Sequence, residues 1–303
     1  MAKILSAQDA TVLLSIPLLT AIAWSVPEGN WLQLCRRLGR FAMPALADEP
    51  DSLLQQMRQT LGENAIALSA ETILSELAAE QILSRLQLLK DYRPGGWKPV
   101  IQLVGREYIE AALQNGYGVI LWVGYFVGSE LVSKIALHQA GLAVHHLSRA
   151  SHGFSSTRFG LRYLNRIQTA IEERYLAERI VISADNPTQA MLSLAYQLRH
   201  NQIVSITAHR NSKTPTKVKF LDGYMYLAPG APLLAHQTKA ALLPMLPLRD
   251  ENGNLTVIVE APLQVSSDIP DRKVMEHTAQ QYATLLEPYV LKFPGQWLGW
   301  LHL

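Results

Sequence analysis

The chain reads as an α/β protein in which a mixed, mostly parallel central sheet is layered with helices and a helical part comes first. Three observations carry this expectation. Residues 117–123 form a continuous apolar run short enough for a buried strand; a helical pattern follows over 127–139, stops at Gly141, and gives way to a second strand over 142–147. Strand, helix and strand joined by short links are the signature of a parallel crossover unit. Further strand-like runs at 179–183, 203–207, 217–220, 241–246 and 255–260 are interspersed with helical stretches, notably 188–199 and 230–238. Finally, 49% of the 303 residues are hydrophobic and only 17% are charged, against about 25% charged in an ordinary soluble domain. A disordered chain is excluded, and a sizeable core is supplied.

The N-terminal part opens on an apolar run, residues 10–24, with Pro17 in its middle. At about 15 residues it is shorter than the roughly 20 that span a bilayer. Three readings stay open: an anchor at a membrane surface, a buried core helix, and a cleaved signal. The signal reading has Lys3 ahead of the run and Ala21-Ile22-Ala23 as a cleavage-like triplet, with Asp9 against it. Residues 31–41 interleave apolar side chains with Arg36, Arg37 and Arg40. That pattern suits an interfacial helix facing anionic lipid, or a core-packed helix with a solvated basic face.

Residues 50–92 predict two helices, the second over about 65–89 with Leu and Ile at three- and four-residue spacings. The breaker Tyr92-Arg93-Pro94-Gly95-Gly96 then divides the helical N-terminal part, 1–92, from an α/β part, 97–303, the two expected to form one compact unit. A short helix follows over 106–113. Glu251-Asn252-Gly253-Asn254 joins the last two strands as a hairpin, and a final helix covers 271–291.

Composition also excludes function classes. With 27 Lys and Arg against 25 Asp and Glu, the net charge of +2 is too small for a dedicated nucleic-acid binder. The single cysteine, Cys35, excludes an internal disulfide and a Cys-based zinc site, and suits a reducing compartment. Nine histidines are scattered without a His-Glu-x-x-His pattern. No Gly-x-Ser-x-Gly elbow, Walker-type phosphate loop or Gly-x-Gly-x-x-Gly is present. Hydrolase, NTPase and dinucleotide readings therefore lack support, and neither a metal nor a cofactor is expected.

In open sheets, ligands meet the loops after the carboxyl ends of strands. The first such loop, 123–130, carries Gly124, Gly128 and then Glu130, expected in the first turn of the next helix. Glycines allow close approach of a ligand, although Glu130 also suits a plain capping carboxylate. The second loop, 148–160, holds Ser148, Arg149, His152, Ser155 and Arg158 together with two glycines. Arginine forks and backbone N–H groups suit a phosphate-bearing ligand; a solvated basic loop is the plainer alternative. His145 and His146 at the strand end point to opposite faces, so at most one faces a given site. The third loop, 208–213, is basic again, with His209, Arg210 and Lys213.

Several blocks in order resemble one family. They are the apolar N-terminal segment, the strand-turn-helix over 117–140, Arg158-Phe159-Gly160, residues 226–235 (Tyr-Leu-Ala-Pro-Gly-Ala-Pro-Leu-Leu-Ala), Ala241-Leu242-Leu243-Pro244, and the ending Phe293-Pro294-Gly295-Gln296-Trp297 through His302. In this order the chain resembles the bacterial lipid A late acyltransferases (lauroyl and myristoyl acyltransferases), relatives of the lysophospholipid acyltransferases. The resemblance implies an acyltransferase-like sheet. It also implies an acyl thioester donor on acyl carrier protein or coenzyme A, and a lipid, glycolipid or amine acceptor. The implied setting is the cytoplasmic face of the inner membrane, with peripheral or N-terminal attachment.

The family signature is a histidine, four residues, then a carboxylate, the histidine taking the acceptor's proton. Glu130 matches the carboxylate, but Tyr125 stands at the histidine's position. A phenol of pKa about 10 is ionised about one part in a thousand at pH 7, and Glu130 nearby would raise that pKa further. Three explanations follow. The base has moved, with His152 the first choice and His146 or His209 next; or Tyr125 binds or orients substrate in a variant chemistry; or the chain is an inactive descendant that binds acyl chains or acyl carrier protein. Arg158 matches an arginine that the family places near the acceptor or carrier phosphate. Arg149, by charge and position, joins it with Ser148, Ser155 and His209 as the substrate-binding set.

Overall fold

The computed structural model describes residues 6–42, 46, 49–183, 186–209, 212, 214–266 and 270–303. The helical part comprises α1 (Ala7–Ser25), α2 (Trp31–Ala42), α3 (Pro50–Leu61) and α4 (Ala70–Tyr92). There follow β1 (Ile101–Val104), α5 (Arg106–Gln114), β2 (Val119–Val123), α6 (Val132–Gln139), β3 (Val144–Arg149), α7 (Asn165–Glu172) and β4 (Glu178–Ile182). The rest is α8 (Pro187–Arg199), β5 (Ile203–Thr207), β6 (Thr216–Phe220), β7 (Gly223–Leu227), α9 (Gly230–Thr238), β8 (Ala241–Arg249), β9 (Leu255–Val259) and α10 (Asp271–Lys292).

Seven strands make one sheet in the order β1-β9-β8-β2-β5-β3-β4. Strands β8, β2, β5, β3 and β4 run parallel; β9 turns back against β8, and β1 follows β9. All five residues of β2 are buried, since helices cover both faces of the sheet there. This is why the strand reads as an unbroken apolar run rather than an alternation. Ile120 and Trp122 enter the core that includes α10, while Val119, Leu121 and Val123 enter the core that includes α6. α4 joins the N-terminal part to both: Leu74 and Leu77 lie in the first core and Leu88 in the second.

Several elements depart from the sequence reading. β1, β7 and α7 carry no signal that was read from the sequence. The run at 217–220 is β6 of a separate hairpin with β7, outside the main sheet. The second N-terminal helix starts at Ala70, not near 65, because Ser69 Oγ caps it by accepting from the Thr72 N–H at 3.3 Å. The helix expected over 127–139 is two pieces, a 3-10 turn at Val127–Ser129 and α6 from Val132. Glu130 therefore lies ahead of α6 rather than in its first turn.

α1 runs unbroken through Pro17 and starts with a capping box between Ser6 and Asp9. Val12, Ile16, Leu19 and Ala23 form its inward stripe. Its other side is open, with Leu14 80% and Leu18 64% exposed, so α1 is not the buried core helix of the second reading. Among the described residues no helix is long and apolar enough to cross a membrane. Lys3 lies outside them. α2 buries Trp31, Cys35 and Gly39 against α4. A Cβ on Gly39 would fall 2.5 Å from the Ser75 carbonyl oxygen, so the close helix contact requires glycine. Arg36, Arg37, Arg40 and Phe41 face outward.

Candidate active site

β2, β5 and β3 are parallel neighbours, so the loops after their carboxyl ends lie side by side. The loop after β2 is braced by the C-terminal segment. Phe126 makes a bridge with Trp297, and the Leu298 N–H donates to the Tyr125 carbonyl at 2.8 Å. Gln296 accepts from the Arg249 N–H at 2.9 Å and donates to the Arg249 carbonyl at 2.7 Å, clamping the end of β8. The Pro-Gly-Gln-Trp ending thus works as a strut for Tyr125.

The Tyr125 ring stacks on His302 at 5.6 Å and meets His209, from the loop after β5, edge-on at 6.1 Å. Arg149 Nη2, at the end of β3, lies 2.9 Å from His209 Nε2. Tyr125, His209 and His302 line a small pocket walled by Met225, Leu227, Leu286 and Trp297. Burial, with the Glu130 charge adding to it, pushes the Tyr125 phenol up to about 12. At neutral pH it keeps its proton, so it is available as a hydrogen-bond donor and not as a base. Burial, and then the Arg149 cation, hold His209 down at about 4, which keeps its ring neutral.

His152 lies beside this pocket in a denser network. Its loop is fixed by Asn165, which accepts from the Ser155 N–H at 3.0 Å and donates to the Ser155 carbonyl at 2.8 Å. Gly153, at φ 131°, passes so close to Asn165 that a Cβ would clash at 2.6 Å. His152 Nε2 stands 2.9 and 3.0 Å from the two oxygens of Glu172. His152 Nδ1 is 4.0 Å from Glu130 Oε1. Gln168 Nε2 donates to Glu130 Oε2 and to Glu172 Oε1, each at 2.7 Å. Behind them Lys134 pairs with Glu172, both side chains almost fully buried. Burial works to raise the Glu172 pKa, but the Lys134 ammonium and His152 outweigh it, and the carboxyl ends well below its usual range. Burial works to lower the His152 pKa; the hydrogen bond and charge of Glu172, helped by Glu130, overcome it and leave the ring more basic than usual.

Glu130, His152 and Glu172 offer three metal-ligating atoms within 4.8 Å of one another. The space between them already holds the Gln168 amide, and Lys134 neutralises Glu172 from behind. That donor set suits a proton-handling site better than a cation.

The other sequence candidates divide by surroundings. Ser148 is buried and accepts from Arg179 Nε at 3.1 Å. Ser155 is buried too, its hydroxyl 3.2 Å from Thr157, which donates to Asp9 of α1 at 2.9 Å. Arg158 is exposed on the same loop. His146 is buried, its Nδ1 2.8 Å from Ser205 Oγ, and burial followed by the Lys134 charge holds its pKa well below the usual value. Arg210 and Lys213 lie outside the described residues.

The family model of the bacterial lipid A biosynthesis acyltransferases matches residues 2–303. The chain belongs to that family. A comparison with curated proteins gives no match. The family makes the protein an acyltransferase of the lipid A type. In this lipid A biosynthesis acyltransferase the structure gathers Glu130 and His152 at one place and Tyr125, Arg149 and His209 beside it. Glu172 and Gln168 escaped the sequence reading because α7 did, and Lys134 and Arg85 because nothing in α6 or α4 shows that they meet His152 and its partners. A signal was present: Asn165, Gln168 and Glu172, at spacings of three and four, put polar groups on the buried face of one helix. Buried polar side chains in such a stripe are held by hydrogen bonds and mark a network rather than a core.

Proposed function

We propose that the protein moves an acyl group from a thioester donor, acyl carrier protein or coenzyme A, to a lipid, glycolipid or amine acceptor, with His152 as the base. The observation that carries this reading is the coupling of His152 to both Glu130 and Glu172 at the carboxyl edge of the sheet, where Tyr125 is too weak an acid to serve. The acceptor hydroxyl or amine attacks the thioester carbonyl while His152 takes its proton. The tetrahedral intermediate then breaks its C–S bond, and the proton passes from His152 to the leaving thiolate. Tyr125 and Arg149 are hydrogen-bond donors placed to hold the carbonyl. The pocket walled by Met225, Leu227, Leu286 and Trp297 suits the start of an acyl chain. Arg158, exposed on the loop after β3, suits a phosphate of donor or acceptor.

The open leucines of α1 and the outward Arg36, Arg37 and Arg40 of α2 support work at an anionic membrane surface, the cytoplasmic face of the inner membrane, by peripheral contact. Mass spectrometry of the purified protein with acyl-carrier and coenzyme A thioesters, plus an extract of candidate acceptors, tests the chemistry. Free thiol together with a new acylated product is expected. Binding of acyl chains with no turnover would replace this reading with that of an inactive descendant.

A further inference from the structure

We propose that Glu172 is the positioning residue for His152, fixing its neutral ring with the proton on Nε2 and leaving Nδ1 as the nitrogen that receives the acceptor's proton. The proposal rests on the reading of His152 as the base. It departs from a histidine-x4-carboxylate pair within one loop, because the partner carboxylate comes from α7 instead.

Counting hydrogens leads to it. Arg85 can only donate, and its Nη1 lies 3.0 Å from Gln168 Oε1. Arg85 is itself held over the Phe154 ring at 4.4 Å. That contact fixes which end of the Gln168 amide is oxygen and which is nitrogen, an assignment made by the network. The Gln168 nitrogen then has two hydrogens, and both are taken by Glu130 Oε2 and Glu172 Oε1 at 2.7 Å. His152 Nε2 lies 3.2 Å from the same nitrogen but finds no hydrogen left there to accept. Its other neighbour, Glu172, is ionised and can only accept. A hydrogen bond from Nε2 to Glu172, at 2.9 and 3.0 Å, therefore requires Nε2 to carry the proton. Lys134 donates to the far oxygen of Glu172 and keeps that carboxylate charged.

Nδ1 remains. It is 4.0 Å from Glu130 Oε1, too far for a hydrogen bond. His152 also lines a polar cleft with Ala150, Asn165, Thr169, Arg166 and Arg179, through which an acceptor could approach. The charged and titratable groups around the ring are Glu172, Arg166 and Glu173 from α7 and its end, Glu130 from the loop after β2, Lys134 from α6, His146 from β3, Arg179 from β4 and, through Gln168, Arg85 from α4. The two carboxylates nearest the ring are joined through Gln168, so Glu130 supports Glu172 instead of competing for the imidazole.

Ring-labelled histidine gives the test. In the free wild-type protein, long-range 1H–15N spectra above the His152 titration are expected to show the Nε2–H tautomer. Glu172→Gln offers Nε2 an amide hydrogen, so the ring pKa should fall and the Nδ1–H form should rise several-fold. In acyl transfer the same change should lower kcat about tenfold or more, with KM little altered. It should also move the acidic limb of the pH profile to lower pH. Should Glu172→Gln leave Lys134 unpaired and the chain unfolded, Glu172→Gln with Lys134→Met removes the orphaned ammonium, and the readout is then the rise of the Nδ1–H tautomer alone, since loss of the Lys134 charge by itself raises the ring pKa. An Nδ1–H tautomer in the wild type, or a His152 pKa unmoved by loss of Glu172, overturns the proposal. These spectra need no turnover, so a failure of acyl transfer would sink the role of His152 as base and leave the tautomer result standing.

Discussion

Lys134→Met should unfold the protein far more easily, because it strands a charge. Lys134 and Glu172 are 4% and 1% exposed and pair directly. Removing one partner of a buried pair costs about 3–5 kcal/mol, since the remaining charge is left uncompensated. With an unfolding entropy of about 2.1 cal/mol/K per residue, a chain of this size loses roughly 5–8 °C of Tm. The sign with pH is fixed as well. The folded pKa of Glu172 is depressed, so its stabilising contribution is present above the unfolded value and is lost as pH falls through the folded one. Without Lys134 the carboxyl protonates more readily, so the gap between wild type and variant should narrow as pH falls below about 4.3. Glu172→Met added to Lys134→Met removes the stranded charge and should recover part of the loss, a non-additivity that a double-mutant cycle measures. Urea unfolding at pH 7 and pH 4 is the assay. A loss under about 1 kcal/mol for Lys134→Met, or a double variant no better than the single one, would refute the claim of a dry, mutually dependent pair.

Three further outcomes are expected. Tyr125→Phe should leave the shape of the pH–rate profile unchanged below pH 9, because the phenol titrates near 12; Tyr125→His, which restores the family pattern, should gain ordinary lipid acylation. His209, with its folded pKa near 4 below the unfolded 6.5, is protonated first in the unfolded chain, so stability should decline by ~3 kcal/mol as pH falls between those values and level off beneath. His209→Leu should flatten that decline in an acid unfolding series. Leu14→Glu with Leu18→Glu, on the open side of α1, should weaken flotation with anionic vesicles about tenfold or more while circular dichroism stays unchanged.

The sheet was legible where burial is two-sided and the strand is short. β2 and β5 fall at or within two residues of their expected ends, because an apolar run without alternation has one meaning inside a layered sheet. β1 was not, because Ile101–Val104 is a four-residue edge strand with an alternating, half-exposed pattern. β7 was hidden by Gly223, Tyr224 and Tyr226, which present more exposure than core. At the site, the loops at the carboxyl ends of β2, β3 and β5 were readable from charge and glycine content. Their partners were not. Glu172, Gln168, Lys134 and Arg85 come from three helices, and only the folded layers bring them to His152. Tyr125 was readable as a departure from the family pattern, yet its brace by Trp297 and Leu298 spans the length of the sheet domain and leaves no local trace.

Single-turnover acyl transfer from a thioester by His152→Ala, beside Tyr125→Phe and Glu130→Ala, tests most directly that the base has moved to His152. Loss of about tenfold or more in His152→Ala and Glu130→Ala, with Tyr125→Phe losing less, is expected. Wild-type rates in His152→Ala, or a larger loss in Tyr125→Phe than in His152→Ala, would contradict it.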